Sequence, residues 1–310
     1  MSATTGTKNT EHNAMPHLET TRIHFKAILA ATDFSDQATT ALKLATHIAK
    51  LFHSKLQVVH AAMPEFYLGD TTMLSAELQK IETERGQQRL HEYTTKIPEV
   101  RSALHEEIVL CGTPGEVIPA LVEASEIDLL VLGSHGRHSV GKMLMGSVAE
   151  SVIRRTHCPV LVTGPQCKAH TNPLKSILLA TSLPAASLRA AQYATSLTRQ
   201  FGGTLTIAHV LPEHDDDATA SSEAQERLIR EDLHELSPGN PEFRKHVHIQ
   251  VRSGDTAEEI MRIAKHAKVD LIVMGVHEET ALADRAPWAT LSQVIRESTC
   301  PVLAVQPHIA

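Results

Sequence analysis

The sequence predicts an α/β protein built from two consecutive doubly wound units, each an open parallel sheet with helices on both faces. Three observations carry this. Apolar strand-like runs alternate with segments of helical periodicity, the pattern of a parallel sheet with right-handed crossovers. The strongest apolar run, Leu129 to Leu132, stops at Gly133 and leads through glycines into a helix-forming stretch. Finally, the whole pattern occurs twice: FKAILAATD (25–33) returns as LKSILLATS (174–182), and KLQVVHA (55–61) returns as TLTIAHV (204–210).

Composition bounds the possibilities. A chain of 310 residues, 42% hydrophobic, can form two ordinary cores. Only 3% is aromatic, so Ala, Leu, Val and Ile must fill them. The net charge of −7 and the lack of a Lys/Arg block give no footprint for nucleic acid. No apolar run is long enough for a membrane helix, so no membrane partner is expected. Residues 1–24 are polar and lack the apolar segment of a secretion signal, and read as a disordered tail. Cys111, Cys158, Cys167 and Cys300 form no C-x-x-C pair; free thiols and a cytoplasmic location are expected. Among 20 histidines, His246 and His248 are the best metal candidates. An exposed strand edge explains them better, and no metal site is expected.

In chain order, Lys26 to Thr32 reads as a first strand, apolar enough to be buried on both faces. Ser35 or Asp36 can cap the following helix, whose apolar residues Ala41, Leu42, Leu44, Ala45, Ile48, Ala49 and Phe52 recur at helical spacing. Leu56 to Ala62 is a second strand. Residues 65–96 are mostly helical after a loose start around Gly69-Asp70. Glu107 to Cys111 is a third strand, and Thr113-Pro114-Gly115-Glu116 opens a helix reaching about Glu126, with Thr113 as cap. After the strand ending at Gly133 come Gly136, Gly146 and Ser147, then an amphipathic helix and a fifth strand, Pro159 to Val162. Gly164 to Pro173, with two prolines and no periodicity, reads as a connection. The units are then 25–164 and 174–310, with 165–173 as linker.

A strand, a glycine-rich loop and a helix N-terminus together make an anion site, because amides of the loop and of the first turn converge. Glycine suits it by accepting φ > 0 and by letting a phosphate approach bare backbone. The spacing is neither a P-loop nor G-x-G-x-x-G. Gly-x2-Gly-x9-Gly-Ser instead resembles the ATP-binding motif of the universal stress protein family. The segments KAILAATDFS (26–35), LQVVHAA (56–62) and HCPVLVT (157–163) agree with that resemblance, which covers nearly the whole chain after the tail as two tandem copies. It implies strand order 3-2-1-4-5 in each unit. It implies ATP contacts at Ala31, Thr32 and Asp33, at Ala61, and at Leu132 and Gly133. Further contacts would come from Gly136 and Arg137, and from Gly146, Ser147, Val148 and Ala149. Arg137 is equally a solvated surface cation, and Asp33 equally a cap for the first helix. His135, with no nucleophile or carboxylate dyad to serve, reads as an exposed loop histidine. No catalytic residue and no carboxylate pair dedicated to Mg2+ is evident, although Mg2+ can accompany ATP.

The copies differ chemically. Asp33 and Ser182, like His60 and His209, are 149 apart, whereas Gly112 and Gly254, Gly133 and Gly275, and Cys158 and Cys300 are 142 apart. On that register Gly136 becomes Glu278, followed by Glu279; Gly146 becomes Trp288, Ser147 becomes Ala289 and Asp33 becomes Ser182. Carboxylates repel phosphate, an indole blocks bare backbone and alanine lacks a hydroxyl, so the second copy reads as a half with its packing kept and its site discarded. The resemblance implies a nucleotide-dependent stress-response or regulatory module acting through an unidentified protein partner. A weak ATP hydrolase and a nucleotide-free interaction scaffold are the alternatives. Family members with one unit commonly dimerise through their last strands, which here match Pro159 to Val162 and Pro301 to Val305. A tandem chain can satisfy that pairing internally as a pseudo-dimer, with further homodimerisation open.

Overall fold

The computed structural model describes residues 22–62, 72–134, 145–168, 174–182, 187–212, 219–236, 240–276 and 286–307. Most of the expected tail and the second part of the expected linker lie outside these residues. The first half runs β1 (Ala27–Ala31), α1 (Asp36–Phe52), β2 (Lys55–Ala62), α2 (Thr72–Lys96), α3 (Pro98–Arg101), β3 (Glu106–Cys111), α4 (Pro114–Ala124), β4 (Leu129–Gly133), α5 (Ser147–Arg155) and β5 (Val160–Thr163). The second repeats it as β6 (Ser176–Ala180), α6 (Ser187–Phe201), β7 (Thr204–Leu211), α7 (Thr219–Glu235), α8 (Pro241–Arg244), β8 (Val247–Ser253), α9 (Thr256–His266), β9 (Leu271–Gly275), α10 (Ala286–Glu297) and β10 (Val302–Val305).

Each half has the order 3-2-1-4-5, and the two sheets join into one ten-stranded sheet, β3-β2-β1-β4-β5-β10-β9-β6-β7-β8. All pairings within a half are parallel; the junction, Val160–Val162 against Val302–Ala304, is antiparallel. Strand residues alternate between two apolar layers. Ile28, Ala30, Leu129 and Val131 face α1, α2, α6 and α7. Leu29, Leu130 and Leu132 face α4, α5, α9 and α10. Both layers run unbroken through both halves, and Phe52 meets its repeat equivalent Phe201 edge-on, with centroids 5.5 Å apart.

Local signals explain several helix starts, with one correction. Ser35 caps α1 by accepting from the Ala38 amide at 3.2 Å. Thr113 stands at the N-cap of α4, yet its hydroxyl makes no capping bond. The Glu116 amide that would use it donates instead to the Thr113 carbonyl at 2.9 Å. In the second half Asp255 does cap, accepting from Glu258 at 2.9 Å. The single-turn helices α3 and α8 were not foreseen; each begins with Pro and plugs the layer with one residue, Val100 or Phe243.

Candidate functional site

The crossovers from β1 and from β4 leave in opposite directions, so the carboxyl ends of these paired strands flank a crevice. Ala31, Thr32 and Asp33 close β1, Ala61 lies near the end of neighbouring β2, and Leu132 and Gly133 close β4. The mouth of α5 is drawn to the same edge. The Ser134 amide donates to the Thr163 carbonyl at 3.0 Å, and the Gly146 amide donates to the Ser134 carbonyl at 2.8 Å. The structure therefore gathers ten of the twelve expected residues at one edge. Gly136 and Arg137, with His135, lie outside the described residues.

Gly133 and Gly146 do not use the left-handed backbone expected of them. Neither Gly133 nor Gly146 has positive φ. A Cβ on Gly133 would stand 3.0 Å from the Gln37 carbonyl carbon and 3.1 Å from the Ala38 amide nitrogen, so the first turn of α1 leaves little room for a side chain there. Gly146 occupies the N-cap of α5 without a side chain to satisfy the turn. The Glu150 amide closes onto Gly146, leaving the amides of Ser147, Val148 and Ala149 without acceptors among the described residues. These amides and the positive end of the helix dipole suit an anion. The side chains of Leu132 and Ala149 are buried in the core, so those residues can offer only backbone; Ser147 and Val148 are exposed.

Next to the β1 end stands an aromatic wall that sequence reasoning missed. Phe34, held at φ 67°, lies 4.3 Å from the His60 ring and 5.2 Å edge-on from Tyr93, with the Arg89 guanidinium 4.5 Å above it. His60 Nδ1 donates to the Thr32 carbonyl at 2.9 Å, a bond repeated between His209 and Thr181 at 2.8 Å. The Tyr93 hydroxyl lies 2.8 Å from Thr39 Oγ1. Burial pushes the Tyr93 phenol up, and hydrogen bonds to the Thr32 and Thr39 side chains oppose that. Asp33 does not cap α1; its Oδ1 accepts from the Ser35 amide at 3.1 Å and shapes the turn that presents the cap. The recurrence of His60 at His209 was the one available signal for this wall.

In the second half Thr181, Ser182 and Gly275 take the corresponding strand-end positions, while Glu278 and Glu279 lie outside the described residues. Trp288 is half-buried, with the Arg154 guanidinium of the first half 4.1 Å from its ring centroid. The four cysteines are free thiols. His246 and His248 are exposed at the start of edge strand β8, and no His, Cys, Asp or Glu triad suited to a metal occurs among the described residues. No described helix is long and apolar enough to cross a membrane.

Comparison with known proteins gives a consistent picture. The sequence model of the Universal stress protein family matches residues 24–164 and again 173–306. Universal stress protein MJ0531 of Methanocaldococcus jannaschii is 34% identical over 139 residues, 44% of this chain and 81% of that protein. A universal stress protein of Mycolicibacterium smegmatis is 23% identical over 290 residues, 91% of this chain and 97% of its own. The crystal structure of a universal stress protein from Archaeoglobus fulgidus superposes with a TM-score of 0.62 at 22% identity, covering 90% of this chain and 98% of its own, and shares the fold.

Proposed function

The chain belongs to the universal stress protein family, and from that premise we propose that its first half binds an adenine nucleotide, ATP, and acts as a nucleotide-dependent regulatory module. One observation carries the reading. At the β1/β4 switch point, the amides of Ser147, Val148 and Ala149 have no acceptor among the described residues and follow a residue with no side chain, Gly146, where the repeat has Trp288. That is a fit for a phosphate group: open donors, a favourable dipole and bare backbone. Asp33 at the end of β1 is the polar group available to the ribose or the base. The second half, with Trp288 and Ala289 at the matching turn, supplies structure in place of a second site.

The test is to denature the purified chain, identify any released nucleotide, and titrate the emptied protein with ATP, ADP, AMP and adenosine 3′,5′-cyclic phosphate. About one nucleotide per chain, absent from Gly146→Trp, is expected. Two per chain would overturn the reading of the second half, and no binding in any titration would overturn the site. Mg2+-dependent release of phosphate by the same samples, lost in Gly146→Trp, would favour the weak hydrolase instead.

A further inference from the structure

Contacts between the halves obey a twofold operation that exchanges residue i of the first half with residue i+142 of the second. In the sheet, Leu161 faces its own image Leu303, and the Val162–Val302 and Val160–Ala304 pairs are images of each other. The same holds beyond the strands. Gln306 Nε2 donates to the Ile153 carbonyl at 2.7 Å. The image of that pair, Gly164 against Ile295, is so close that a Cβ on Gly164 would stand 1.8 Å from the Ile295 carbonyl oxygen. The operation therefore relates α5 and α10 as well as β5 and β10. One more contact crosses this seam: Arg154 over the Trp288 ring at 4.1 Å. Its image pairs Arg296 with Gly146. Carried over by the same operation, Arg296 of α10 corresponds to the side of the α5 mouth, where residue 146 has no side chain and its equivalent carries an indole.

We infer that Arg296, contributed by the second half, is a phosphate-binding residue of the nucleotide site in the first half. The inference rests on the proposal that the first half holds a nucleotide. The phosphate takes the place that the Trp288 indole takes in the repeat, between the α5 amides and a guanidinium. Guanidinium and phosphate match well, because parallel N–H groups can engage two oxygens at once. Arg154 is tied by its neighbour one turn earlier, Glu150, at 3.1 Å. The residue at that spacing before Arg296 is Ser292; Arg296 meets Glu297, the next residue, through Nη2 and keeps 27% of its side chain exposed. A guanidinium carries five N–H donors, so the local pair and a phosphate can share it. On this account the second half is more than a cover for a sheet edge: it completes the site it does not itself contain.

The experiment uses the full chain with Arg296→Ala and Arg296→Lys, titrated with ATP, ADP and AMP. Emission of the single tryptophan, Trp288, reports whether the seam is intact. Loss of one charge-assisted contact should weaken ATP binding about tenfold or more, with partial recovery in Arg296→Lys and a smaller preference for ATP over AMP in Arg296→Ala. Unchanged ATP affinity with wild-type emission would remove Arg296 from the site and leave the nucleotide reading standing. If Arg296→Ala disturbs the emission, Arg296→Gln, which keeps a long polar side chain, is judged by the same tenfold criterion. A wild-type chain that binds none of the three nucleotides would overturn both proposals together.

Discussion

At the scale of single residues, His47 on α1 has no counterpart in the repeat, where Ser196 takes its place. Its Nε2 is buried without a hydrogen-bond partner among the described residues. Burial, and then the charge of Lys50, hold its pKa below the ordinary 6.5. In the window between that lowered value and 6.5, the unfolded chain binds a proton that the native chain refuses. Stability is therefore retained above pH 6.5 and lost as pH falls through the window. Urea midpoints at pH 7 and pH 5 should show a loss on acidification that is smaller in His47→Gln, which cannot titrate. An equal loss in both proteins would contradict the assignment.

At the scale of elements, α5 and α10 show how similar sequences diverge once packed against each other. Position 164 and its image 306 each meet a carbonyl near the end of the opposite helix. Gln306 satisfies Ile153 with its amide, whereas Gly164 lets its own backbone approach Ile295. Gly164→Ala places a methyl into that carbonyl, and backbone on both sides must give way. A cost of about 1–3 kcal/mol is expected, seen as a lower melting temperature; an unchanged melting curve would mean that the seam yields freely. From the sequence, Gly164 was legible only as the start of a connection, because nothing local records which helix comes to lie against it. Strands whose residues are buried on both faces announced themselves as apolar runs, α1 by its spacing, and α4 by its Thr113-Pro114-Gly115-Glu116 start. The single-turn helices α3 and α8 were too short to show any period. The site divides the same way. The β4 end and the α5 mouth followed from glycines at fixed spacing and the β1 and β2 ends from the resemblance, but Arg89 and Tyr93 reach Phe34 only through the fold. The close approach of the first turn of α1 to Gly133 was likewise a tertiary fact.

At the scale of the molecule, the antiparallel junction removes two sheet edges and continues both apolar layers across the chain. A first half on its own would leave the outer edge of β5 unpaired beside Phe25, Phe52 and Leu161, all buried in the whole chain. Unpaired strand groups and exposed apolar surface drive association, and the twofold relation already supplies a closed geometry in which a second copy replaces the second half. Leu161 would then face Leu161 of its partner, in the register that Leu161 and Leu303 now share. Relatives the length of one unit show that such a unit exists as a protein. Residues 22–168, expressed alone, should therefore run in light scattering at twice their chain mass. Leu161→Asp, which puts a carboxylate on the axis of that junction, should shift them towards the single mass or out of solution. A monomer that stays folded at tens of micromolar would show that the seam depends on contacts made only between unlike halves, such as Arg154 with Trp288 and Gln306 with Ile153.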